Sequence, residues 1–184
     1  MTSLPIVFLG PVRAGKTTLA RQVAQTLGLT QVSLDEVRWN YYREIGYDDT
    51  LARRIRTESG FLALVFYRQL FDAYSVERVI SDYPQAVIDF GAGVGPYEDQ
   101  RQLKRLQDLF TSLQNIFLIL PSPDVQESLR ILRQRDANPP ADLSFDIIAY
   151  FLRHPGYRQL AKHVIYNQDK TPEQTTAEII SLLV

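Results

Sequence analysis

The sequence contains no cysteine, which excludes disulfides, thiol nucleophiles and Cys-ligated metal centres. Its 2 histidines, His154 and His163, are too few for a dedicated His-metal site. No apolar run approaches the roughly 20 residues of a membrane span. The first such run, from Ile6 to Leu9, is also too short for a signal core, and no basic leader precedes it. A soluble, cytoplasmic protein is expected. A charge excess is lacking too: the formal net charge of -1 argues against a broad nucleic-acid-binding or membrane-binding surface. Lysine is scarce, with 4 Lys against 16 Arg. That bias suits planar recognition of phosphates and carboxylates, and genomic base composition would produce it as well.

What is present is ordinary for a globular chain: 184 residues, 45% hydrophobic and 22% charged. The length favours one domain, residues 1–184, able to bury about 70% of its unfolded surface. Short apolar runs alternate with helical patterns. Pro5 to Leu9, Gln31 to Leu34, Ala86 to Phe90, Ile116 to Leu120 and His163 to Tyr166 read as five strands. Leu19, Val23 and Leu27 mark a first helix that stops at Gly28. A long helix capped by Asp48 or Asp49 runs to about Tyr74, with Leu51, Ile55, Leu62, Val65 and Phe66 as its apolar stripe. Residues 98–113 read as helical, and Pro123 as the first position of another helix. The polar, breaker-rich stretch Asn138 to Asp142 is the best candidate for a mobile lid, spanning about residues 133–145. A helix to Arg153 follows. Thr171-Pro172-Glu173-Gln174 is a capping box opening the last helix. Such alternation predicts an α/β fold, a mainly parallel sheet with helices on both faces.

The most specific signal is Gly10-Pro11-Val12-Arg13-Ala14-Gly15-Lys16-Thr17, which fits G-x-x-x-x-G-K-[ST]. A buried strand enters it and an amphipathic helix leaves it. Backbone amides there converge on phosphates, and the helix N-terminus adds partial positive charge. Gly10, Arg13, Ala14, Gly15, Lys16, Thr17 and Thr18 are the candidate nucleotide-binding residues. Lys16 reaches the β- and γ-phosphates in this reading, and the Thr17 hydroxyl ligates Mg²⁺.

The order of motifs resembles the shikimate kinase branch of the nucleoside-monophosphate-kinase-like P-loop fold. The resemblance implies a five-stranded parallel sheet in the order 2-3-1-4-5, ATP at the C-terminal strand ends, and a lid. Asp35 follows strand two, like the family's substrate-binding aspartate, and Gly91-Ala92-Gly93 follows strand three, like its triple glycine. Arg153-His154-Pro155-Gly156-Tyr157 resembles the segment whose arginine holds the substrate carboxylate. Arg130, Arg133 and Arg135 lie where lid arginines approach the ATP phosphates. Four positions depart from the family pattern: Ser33, Leu62 (in place of a second carboxylate-binding arginine), Ala92 and Arg13. Losing that arginine removes a charge-assisted pair and points away from shikimate itself.

Several of these residues have two readings. Asp35 either orients the acceptor hydroxyl or caps the helix beginning at Glu36. Asp89 either holds Mg²⁺ through water or caps the glycine-rich turn. Arg133 and Arg135 are candidate catalytic clamps on the γ-phosphate, or part of a solvated face. Arg53-Arg54-Arg56 reads as a solvated face. Trp39 to Tyr42 is either core or a pocket wall. The function expected is phosphoryl transfer from ATP, with Mg²⁺, to a small-molecule hydroxyl, by a monomer or homodimer. The alternatives are a nucleotide sensor without turnover and a nucleotide kinase.

Overall fold

The five apolar runs form five parallel strands in the order β2-β3-β1-β4-β5. In this computed structural model the described residues are 2–135 and 145–184. The strands are β1 (Ile6–Leu9), β2 (Gln31–Ser33), β3 (Val87–Asp89), β4 (Ile116–Leu120) and β5 (His163–Tyr166). β1 lies at the centre, where Phe8 is registered between Asp89 and Phe117, and none of its four side chains reaches solvent. A continuous apolar sequence is what a strand covered on both faces requires.

The helices are α1 (Lys16–Leu27), α2 (Leu34–Glu44), α3 (Asp49–Asp82), α4 (Gln100–Phe110), α5 (Val125–Gln134), α6 (Ile147–Arg153), α7 (Gly156–Leu160) and α8 (Pro172–Ser181). Gly28 ends α1 in the left-handed conformation, and Thr171 and Gln174 close the anticipated capping box on α8. Three expectations shift. Leu34 belongs to α2 rather than β2, so Asp35 sits in the first helical turn and Ser33 occupies the cap position. Pro123 precedes α5, whose cap is Asp124, its carboxylate accepting from the Glu127 amide at 2.7 Å. The five-residue α7 is too short to show periodicity and was not foreseen.

α3 departs furthest from its sequence pattern. It extends to Asp82, and at Gly60 (φ 86°, ψ -179°) the chain leaves helical geometry, a backbone state open to glycine and strained for other residues. The break resets the helical phase. Of the expected stripe Val65 is buried, whereas Phe66 is 39% exposed. After the break the buried side chains include Leu64, Gln69, Asp72 and Val76 instead. The segment before Gly60 folds back on the one after it, since the Asp48 amide donates to Tyr67 Oη at 3.1 Å.

Candidate active site

Everything predicted for the phosphate loop lies at the C-terminal end of β1. Gly15, in left-handed geometry, is the N-cap residue of α1, so the first amides of that helix are free of intrahelical partners. Arg13 has φ 63° and is the one non-glycine residue at positive φ among the described residues. It therefore adopts the conformation that a glycine would supply more easily, at a cost of about 1–2 kcal/mol. Lys16 is buried, and its Nζ donates to Pro11 O at 3.0 Å. Burial holds its pKa below the ordinary lysine value, opposed by the charge of Asp89. The Thr17 hydroxyl donates to Asp89 Oδ2. Burial raises the Asp89 carboxyl above the usual range, opposed mainly by Lys16 and by the bond from Thr17.

Two cavities flank this loop. One, of about 280 Å³, lies on the β4–β5 side and is lined by Arg13, Thr18, Arg135, Asn167, Lys170 and Pro172. Asn167 Nδ2 donates to Ala14 O at 2.8 Å, tying the loop after β5 to the phosphate loop. The other, of about 340 Å³, opens between the phosphate loop, α2, α3 and the turn after β3. Arg13, Lys16 and Thr17 of the phosphate loop line it, as do Asp35 and Arg38 of α2. Ala92 and Gly93 contribute main chain, and α3 presents Phe61, Val65, Arg68 and Asp72.

That second cleft is held together by charge. Arg38 forms an ion pair with Asp35 and lies 3.5 Å from Asp72 Oδ1, which also accepts from Tyr42 Oη at 2.6 Å. Asp72 is buried, and burial raises its pKa against the lowering effect of Arg38. The side chain of Asp35 is 62% exposed, so one carboxylate is locked in the wall while the other faces the opening. Gly91 sits directly against this pair: a Cβ there would lie 2.2 Å from Arg38 Nη2 and 2.3 Å from Asp35 Oδ1. Both atoms are ends of flexible side chains and would move aside. Gly91→Ala is thus expected to leave nucleotide affinity and Tm nearly unchanged while lowering acceptor-dependent kcat/KM by roughly 10- to 100-fold. Steady-state kinetics and a melting curve check both halves.

The sequence carries the family signature in the order this geometry needs. The shikimate kinase family model matches residues 13–184. The chain belongs to the shikimate kinase family. Solved structures agree on the fold. The shikimate kinase of Acinetobacter baumannii, described in complex with shikimate, is 22% identical with a TM-score of 0.61, over 98% of this chain and 93% of that one. The Aquifex aeolicus shikimate kinase is 18% identical with a TM-score of 0.62, covering 97% and 95%. That of Bacteroides thetaiotaomicron is 19% identical with a TM-score of 0.57, covering 96% and 94%. No curated protein is a significant match. As a member of the family, the chain is a P-loop phosphotransferase of the ATP-dependent kinase class. Among the described residues no helix is long and apolar enough to cross a membrane.

Within this shikimate kinase family member, the structure gathers Lys16, Thr17, Asp35, Asp89, Gly91, Ala92 and Gly93 at one sheet edge. It does not gather all the arginines. Arg153 ends α6 exposed and outside the lining of the cleft. Arg130 is engaged by Glu127, and Arg133 forms an ion pair with Asp146 at the start of α6. Arg135 lines the β4–β5 cavity rather than the cleft bounded by α2 and α3, its Nη1 donating to Arg13 O at 3.3 Å. The bulk of the expected lid, residues 136–144, lies outside the described residues. Leu62 is off the cleft, so α3 brings its cation from Arg68. Trp39, Tyr41 and Tyr42 do not line the cleft either. Trp39 and Tyr42 pack edge-on in a cluster with Tyr47. Arg38, Arg68 and Asp72 were missed. The spacing Phe61, Val65, Arg68, Asp72 is one helical stripe, and it holds the sequence cue to Arg68 and Asp72.

Proposed function

We propose that this single-domain P-loop kinase transfers the γ-phosphoryl group of ATP, with Mg²⁺, to a hydroxyl of a small molecule held in the 340 Å³ cleft. The observation that carries this is that Lys16 and Asp35 line one and the same cavity. In this reading the amides of the phosphate loop and Lys16 hold the triphosphate. The base would lie in the neighbouring cavity, with Arg135, Asn167 and Pro172 around it. Asp35, fixed by Arg38, accepts a hydrogen bond from the acceptor hydroxyl and aims its oxygen at the γ-phosphorus. The Gly91–Gly93 main chain sets the acceptor's depth. Catalysis is then largely positioning and charge neutralisation.

The residues present fit Mg²⁺. Among the described residues no three His, Cys, Asp or Glu side chains cluster to hold a metal unaided. A magnesium ion needs less, because it keeps several waters and takes phosphate oxygens. Asp89 Oδ1 is buried without a hydrogen-bond partner, and Thr17 gives its proton to Asp89, leaving lone pairs on its own oxygen. Thr17 would ligate the ion directly and Asp89 would accept from its waters. When bound, the ion would neutralise charge on the β- and γ-phosphates.

The test is ADP release from ATP and Mg²⁺ across a panel of hydroxylated carboxylic acids, polyols and their phosphate esters. Acceptor-dependent ADP formation, lost on adding EDTA, is expected. Shikimate belongs in the panel and is expected to be a poor acceptor, because Arg153 lies outside the cleft, Leu62 stands where a second carboxylate-binding arginine is expected, and α2 and α3 supply Arg38 and Arg68 instead. Tight nucleotide binding with no acceptor-dependent ADP from any member would reject the proposal.

A further inference from the structure

A third cavity, of about 290 Å³, lies beside the acceptor cleft and shares Arg68 with it. Its polar lining is Arg53, Arg56, Arg68 and Tyr47 with a single acid, Asp49, and its apolar lining is Ala52 and Leu64. Three guanidinium groups facing one carboxylate stand out in a chain whose net charge is -1. In sequence, Arg53 and Arg56 read as a solvated helix face, and a straight helix would keep Arg56 about 18 Å along the axis from Arg68. The break at Gly60 removes that separation by folding the first part of α3 back onto the second.

The way these arginines are held matters. Arg56 lies over the ring of Phe61 at 4.7 Å, and Arg68 over Trp39 at 5.3 Å, with Arg68 Nε donating to Tyr47 Oη at 3.3 Å. Among the described residues, none of the three has a carboxylate partner within ion-pair distance. Aromatic faces orient a guanidinium while leaving its N–H edges available. Structural arginines elsewhere in this protein are held by acids instead: Arg105 by Glu77, Arg130 by Glu127 and Arg133 by Asp146.

We infer that this cavity is a phosphate subsite for the acceptor, so that the small molecule phosphorylated in the cleft already carries one phosphate monoester, seated among Arg53, Arg56 and Arg68. The inference rests on the cleft being the acceptor site. A dianionic phosphate with three peripheral oxygens suits a fork of guanidinium groups better than a single carboxylate does. Arg68, common to both cavities, spans the distance between the distal phosphate and the reacting hydroxyl.

The experiment is calorimetric titration of inorganic phosphate into the protein with its nucleotide site saturated by a non-hydrolysable ATP analogue and Mg²⁺. Wild type is expected to bind one phosphate. Arg53→Gln with Arg56→Gln should weaken that binding by roughly tenfold or more. Both side chains are exposed, so the double variant should keep its Tm and its affinity for the ATP analogue. Absence of phosphate binding in wild type, or equal binding in the double variant, overturns the subsite. Failure of the kinase reading shows up separately, as absence of analogue binding or of acceptor-dependent ADP formation.

Discussion

Lys16→Ala is expected to lower acceptor-dependent kcat by roughly 10²- to 10³-fold, the usual loss when a transition-state cation is removed from a dry site. The side chain is 7% exposed and its ammonium has Pro11 O as its hydrogen-bond partner, so it is already aimed and desolvated before nucleotide arrives. Nucleotide affinity should also fall, because the ammonium bridges phosphates in the ground state as well. The same burial gives a pH signature. The free-protein pKa of Lys16 lies below the ordinary lysine value of 10.5, chiefly through desolvation. A bound triphosphate stabilises the charged form and raises that pKa. Affinity is therefore full at pH below the lowered pKa and declines as pH rises through it, earlier than for an exposed lysine. Calorimetry at alkaline pH in two buffers of different ionisation heat should detect proton uptake on binding. Uptake that persists in Lys16→Ala would assign the effect to another group.

Asp35→Asn is expected to cost about 10²- to 10⁴-fold in kcat while leaving nucleotide affinity within a factor of two of wild type. The substitution keeps the shape of the side chain and removes the charge facing the acceptor. Stability should change little, since the side chain is 62% exposed and Arg38 retains Asp72. Isothermal titration with an ATP analogue and single-turnover phosphoryl transfer separate the two effects. A loss confined to KM would make Asp35 a binding group alone. Comparison with Gly91→Ala is informative, because that substitution displaces the carboxylate without removing it.

The phosphate loop was legible because its chemistry is local. Gly10, Gly15, Lys16 and Thr17 keep their spacing in any chain that forms the motif. The sheet was legible for a related reason, since strands buried on both faces must be continuously apolar. Asp35 and Gly91–Gly93 were singled out by their position just beyond strand ends, and Asp89 as the last residue of β3. The acceptor wall was not. Arg38 and Asp72 are 34 residues apart and meet only because α2 packs against α3. Arg68 and Arg56 join one cavity only because Gly60 interrupts a helix whose periodicity, taken as unbroken, puts Leu62 and Phe66 together in the core stripe. Arg153 was carried over from resemblance, and the segment that bears it leaves it exposed. Linear pattern reports what a residue does to its own element. It is silent on pairs that tertiary packing creates.

Arg13 belongs to both the base-side cavity and the acceptor cleft. In the proposed reading, a substrate settling on either flank would meet the same side chain and the same strained peptide, which would link the two occupancies energetically. Such linkage runs equally in each direction: whatever factor the nucleotide imposes on acceptor affinity, the acceptor must return to the nucleotide. On that reading, one bend in a phosphate loop would make the two ligands answerable to each other.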